Sequence, residues 1–117
     1  MTTREVAPAQ AITEVERGFG LSADELARAL GVSPETLGRW RTGESVPPAE
    51  SWASIRAWYA LYQRLVETFT DGPEGARDWL RTPHRYLAGR TPGELAREGR
   101  FDRVEAALGV LEAGIFL

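Results

Sequence analysis

From Pro48 to Phe69 runs the longest hydrophobic periodicity in the chain, with Trp52, Ile55, Tyr59, Tyr62, Val66 and Phe69 at steps of three and four. Residues so spaced share one face of an α-helix, and a face this wide must be covered by other elements. The flanking sequence supplies them as further helices. Ile12, Val15 and Phe19 recur at helical spacing and predict a first helix near 8–17, broken by Gly18 and Gly20. Ser22 with Glu25 makes a capping box that opens a short helix through Leu30. Ser33-Pro34-Glu35 brings a cap, a first-turn proline and an acid to the next helix, which ends near Gly43. Asp71-Gly72-Pro73 is the clearest break and sets the expected division into residues 1–72 and 73–117. Helices are expected beyond it near 73–81, 83–88, 92–98 and 101–113. Pro83 and Pro92 suit first turns, and Gly89 and Gly99 suit positions just past helix ends. No segment alternates as a strand would, so the expected fold class is all-α.

A chain of 117 residues makes one compact domain or two very small ones that share a core. Its apolar content of 43% suffices for that core and excludes a disordered chain. No apolar run reaches the roughly 18 residues of a membrane span. The first ten residues lack the apolar stretch of a signal peptide. Cysteine is absent, which removes disulfides and thiolate metal sites and makes the reducing cytoplasm the expected compartment. His84 is the single histidine. Neither metal spacing nor a phosphate-cradling glycine loop occurs, and the acids are scattered over helix faces. The expectation is a non-enzyme with no catalytic residue, no metal and no cofactor.

The net charge of −3 argues against nucleic-acid binding by bulk charge. All fourteen basic residues are arginine, and they cluster locally: residues 36–64 carry four against two acids, residues 77–103 seven against four. DNA binding, if it occurs, would be local. Leu26, Ala27, Leu30, Gly31, Val32, Leu37 and Trp40 fit a helix-turn-helix, with a small residue at the helix crossing, a turn glycine four residues later and apolar locks on both sides. They resemble the Xre, or Cro/repressor-like, version of that motif. Its second helix would present Ser33, Glu35, Thr36 and Arg39 to the major groove, with Arg41 and Thr42 near its end. Arg39 can donate a bidentate pair to guanine and Glu35 can accept from cytosine. Each has a plainer reading beside it, Ser33 as an N-cap, Glu35 as a favourable first-turn charge and the arginines as a solvated face. Gly38 lies mid-helix, where it costs about 1 kcal/mol against alanine.

The C-terminal third has an ordered signature: Trp79-Leu80-x-x-Pro83, Leu87-x-Gly89-x-x-Pro92, then Leu95, Gly99, Val104-x-x-x-Leu108 and Gly114. Over residues 74–117 this resembles the toxin-binding domain of Xre/MbcA/ParS-type antitoxins, with His84 where the family often has Asn and Ala88 where it commonly has a second Gly. The resemblance implies an antitoxin whose protein partner is a RES-domain toxin that degrades NAD. It further implies that the C-terminal part covers the toxin's active-site cleft, and that the chain forms homodimers and hetero-oligomers with the toxin. Operator DNA would be a second partner, through autorepression. Ile115, Phe116 and Leu117 form an apolar end that either folds onto its own core or enters the partner, and transferring the family's role makes them the candidates for insertion. His84, Arg85 and Arg90 would rim that contact, although a local cap or exposed turn suits His84 as well. Trp52, Trp58, Tyr59 and Tyr62 either pack on both flanking regions or form a homodimer seam. The rival to the antitoxin is a stand-alone helix-turn-helix regulator whose residues 73–117 serve dimerisation or sensing.

Overall fold

The computed structural model describes residues 6–114. It contains α1 (Pro8–Phe19), α2 (Ala23–Leu30), α3 (Pro34–Thr42), α4 (Ala49–Thr68), α5 (Pro73–Arg81), α6 (Pro92–Arg97) and α7 (Phe101–Glu112), with a 3₁₀ turn at Arg85–Leu87. No strand occurs among the described residues, and the fold is all-α as expected. Ile115, Phe116 and Leu117 lie outside the described residues.

Two expected helices change shape. The first runs on through Gly18 and closes at Gly20, whose backbone is left-handed at φ 70°. Gly18 does not break the helix; it makes room, because a Cβ there would meet the Tyr62 ring at 2.5 Å. The helix expected at 83–88 shrinks to the 3₁₀ turn. Ala88 turns left-handed at φ 58°, and the backbone N–H of His84 is spent on the carbonyl of Arg90, 3.1 Å away. A loop closed on itself in this way leaves no room for a second α-turn.

The long helix packs on α1, α2, α5 and α7. Its fully buried line is Ile55, Trp58, Leu61 and Leu65, and the expected stripe of Trp52, Tyr59, Tyr62, Val66 and Phe69 flanks that line, only partly buried. Burial is rotated because the helix is covered by neighbours on more than one side. Trp58 stands edge-on to Phe19 of α1 at 5.3 Å and to Phe101 of α7 at 5.1 Å. One core results, running from Ala11 through Trp58 and Trp79 to Leu108. The Asp71-Gly72-Pro73 break does not divide it, since α1 also touches α5 and α6, and α2 touches α6.

Candidate functional site

The N-terminal candidate is built on α2 and α3. Ser22 and Glu25 close a reciprocal capping box on α2, and its end is turned by Gly31 at φ 71°. Val32 then donates its N–H back to the Ala27 carbonyl at 3.0 Å, which fixes the angle at which the chain enters α3. Leu26, Ala27, Leu37 and Trp40 are buried between the helices and hold the pair together. Ser33 caps α3, with its Oγ accepting from the Thr36 N–H at 3.1 Å and donating to the Thr36 hydroxyl at 2.9 Å. Arg39 reaches back to the same hydroxyl at 3.4 Å. Ser33, Glu35, Arg39 and Thr42 are exposed and Thr36 half-exposed, so the surface of α3 carries a small hydrogen-bonded polar cluster with one guanidinium at its centre. Gly38 sits in open space, with nothing within 4 Å of where a Cβ would stand.

Arg41 is placed differently. Its guanidinium grips Glu16 of α1 in a two-pronged pair, Nε to Oε1 at 3.1 Å and a terminal nitrogen to Oε2 at 2.5 Å. Both side chains are mostly covered, at 30% and 16% exposure, so the pair braces α3 against α1. Glu16 lies 25 residues away along the chain, and no local pattern could have named it.

The C-terminal candidate surrounds the 3₁₀ turn. His84 precedes it, and its carbonyl accepts from Leu87 at 3.0 Å and from Gly89 at 2.9 Å. The imidazole stacks on Tyr86 at 5.2 Å and leans on Trp79 at 5.6 Å. Two polar atoms in this cluster, His84 Nε2 and Trp79 Nε1, are buried without a hydrogen-bond partner among the described residues. Burial pushes the Tyr86 hydroxyl upward, and the Trp79 indole offsets this only in part. Trp79 and Tyr86 were not among the expected contact residues. Their position on either side of the lone histidine was the available signal.

Arg85 is exposed. Arg90 is committed inside the chain, donating to Glu98 and, at 3.4 Å, to Glu94. Thr91 and Glu94 close a second capping box, on α6. The Thr91 backbone N–H, then its hydroxyl and the Arg90 guanidinium, hold the Glu94 carboxyl below the usual carboxylate range. Arg90 does the same for Glu98. Among the described residues no group of three or more His, Cys, Asp or Glu is placed to hold a metal ion.

Residues 64–114 match the family described as the antitoxin Xre/MbcA/ParS C-terminal toxin-binding domain, and residues 16–55 match a helix-turn-helix family. The two matches place a helix-turn-helix ahead of an Xre/MbcA/ParS toxin-binding domain. It is 28% identical over 103 residues to the mycobacterial cidal antitoxin MbcA of Mycobacterium tuberculosis, covering 88% of each chain. The MbcA of Mycobacterium bovis matches with the same identity and coverage. A second, probable mycobacterial cidal antitoxin of M. tuberculosis is 28% identical over 99 residues, covering 85% of this chain and 83% of that one. In solved structures, the chain superposes on a chain of the M. tuberculosis MbcT–MbcA toxin–antitoxin complex with a TM-score of 0.60 at 25% identity. That match covers 97% of this chain and 100% of the other. The two arrangements built above, α2–α3 and the turn before α6, thus fall one in each of the two matched segments. No helix among the described residues is long and apolar enough to cross a membrane.

Proposed function

We propose that this chain is the antitoxin of a toxin–antitoxin pair, neutralising a RES-type, NAD-degrading toxin in the cytoplasm by covering its active-site cleft. The observation that carries the reading is co-extension: antitoxin relatives align over 88% of this chain, helix-turn-helix and C-terminal domain together. His84, Arg85 and Arg90 are the proposed rim of the toxin contact, and Ile115, Phe116 and Leu117 the inserted end. The exposure of Arg85 on the 3₁₀ turn supports the first part. Operator DNA is the second proposed partner, contacted by Ser33, Glu35, Thr36, Arg39 and Thr42 for autorepression. Arg41 would reach a phosphate only by giving up Glu16. A homodimer brings two copies of α3 to one operator and so raises the affinity of a weakly charged module.

Co-expression with the toxin encoded beside this gene tests the reading. Growth and cellular NAD are expected to be restored by the full chain. Deleting 115–117 should abolish protection while leaving the melting temperature unchanged, since a buried anchor at an interface commonly contributes about 2 kcal/mol or more. A truncated chain that melts normally and still silences the toxin removes the inserted end from the account. Arg39→Ala should weaken operator binding and lower its salt slope by about 1 if the contact is to a phosphate, without affecting protection. Promoter binding with no rescue of growth by the full chain would instead favour the stand-alone regulator.

A further inference from the structure

Four arginines line a cleft that neither interface above uses. The cleft, of about 280 Å³, lies between the end of α1, α5 and α6 and is lined by Arg17, Arg77, Arg81 and Arg97. Arg77 and Arg81 stand one turn apart on α5 and share a face. Arg17 comes from the last turn of α1, and Arg97 ends α6. No carboxylate lines the cleft. Among the described residues none of these four arginines forms an ion pair, whereas Arg41, Arg64, Arg90 and Arg100 each do. The contrast carries weight because acids outnumber bases in this chain, 17 to 14, so carboxylates are not scarce. Like charges gathered in a concavity and left unneutralised by their own chain are arranged for an anion from outside.

A second compartment, of about 350 Å³, shares Arg17, Gly18 and Arg77 with the first and continues along Tyr62, Val66 and Pro73, with Gln63 and Glu14 at its polar edge. Here Gly18 matters. The Tyr62 ring lies against the α1 backbone where any side chain would displace it, and it is held edge-on by Phe19 at 5.6 Å. The two adjacent compartments therefore make the cleft cationic on one side and aromatic on the other.

We propose that this cleft binds a nucleotide, its phosphates among Arg17, Arg77, Arg81 and Arg97 and its base beside Tyr62. Planar guanidinium forks pair phosphate oxygens two at a time, and an aromatic ring accepts the face of any base. Gln63 and Glu14 offer hydrogen bonds to base or ribose edges. Duplex DNA fits less well. The recognition helix α3 packs on α1 and α2, while this cleft is formed with α5 and α6, and a duplex presents its phosphates on a convex surface.

Calorimetric titration of the full chain with ATP, adenosine and inorganic tripolyphosphate tests the assignment. ATP is expected to bind with an affinity that falls as salt rises, and more tightly than either fragment. Replacing Arg77→Ala together with Arg81→Ala should weaken ATP roughly tenfold or more. Both side chains are exposed, so the melting temperature should hold, and Arg103→Ala, at an exposed residue that lines neither compartment, serves as the control that leaves binding intact. No ATP binding up to about 1 mM, parental affinity in the double variant, or tripolyphosphate as tight as ATP each overturns the proposal. So does displacement of ATP by a short duplex that needs the same arginines. None of these results depends on whether the chain neutralises a toxin.

Discussion

Ala88 is the only non-glycine among the described residues with a left-handed backbone, at φ 58° and ψ 35°. An L-residue pays about 1–2 kcal/mol for that conformation, because its Cβ crowds the following carbonyl. The turn needs it nonetheless, since the Ala88 N–H closes the 3₁₀ turn on the Arg85 carbonyl at 3.0 Å. Its methyl group is exposed, so removing it sacrifices no packing. Ala88→Gly is expected to stabilise the protein by about 0.5–1 kcal/mol, the relief of strain being partly offset by the freer unfolded chain. Urea denaturation of the pair would show it, and a lower midpoint for the glycine variant would refute the strain. At this scale the sequence was only half legible. Gly89 announced a turn, and Pro92 a helix start, but Ala88 has no local mark of its conformation. The same holds for Arg41, whose pairing with Glu16 depends on where α1 lies.

Among the elements, α6 shows how much of a short helix is made by its ends. Six residues are too few to be stable alone, and Thr91 and Glu94 satisfy its first backbone donors. Glu94 and Glu98 both have their carboxyls held below the ordinary value of 4.5. In the folded chain they take up protons only at lower pH than in the unfolded chain. The stabilisation they bring is therefore fully present above about pH 4.5 and is lost as pH falls through their depressed values. The melting temperature should stay level from neutral pH to about pH 5 and decline below it. Glu94→Gln should melt lower than the parent at neutral pH and show a shallower acid decline. Equal acid slopes for the two proteins would exclude Glu94 from the effect. The capping box of α2 and the prolines at the starts of α3 and α6 were open to sequence reading because capping acts over three or four residues. The first helix runs past Gly18, which local spacing reads as a break, since the reason for that glycine lies on α4.

For the whole molecule, α4 decides the outcome. Trp58 bridges α1 and α7 across it, at 5.3 Å from Phe19 and 5.1 Å from Phe101. Arg64 adds exposed pairs to Glu112 at 2.7 Å and Glu105 at 3.5 Å between α4 and α7, each worth at most about 1 kcal/mol. Trp58→Ala should cost about 3–5 kcal/mol, the range for emptying a buried aromatic site. Because the core is continuous, far-UV and near-UV circular dichroism of that variant should report one coincident transition. Two separated transitions would mean that the residues before and after Asp71-Gly72-Pro73 melt independently.

What the sequence determined by itself was the helical character, the caps, the helix-turn-helix and the ordered signature of the C-terminal third. All of these rest on spacings of a few residues, within which backbone hydrogen bonds and side-chain neighbours are set locally. Tertiary structure alone decided which arc of α4 is buried, that Glu16 takes Arg41, that Tyr62 needs Gly18, and that arginines from α1, α5 and α6 share one cleft. Such contacts join distant residues, and their energy depends on helix packing that no short window contains.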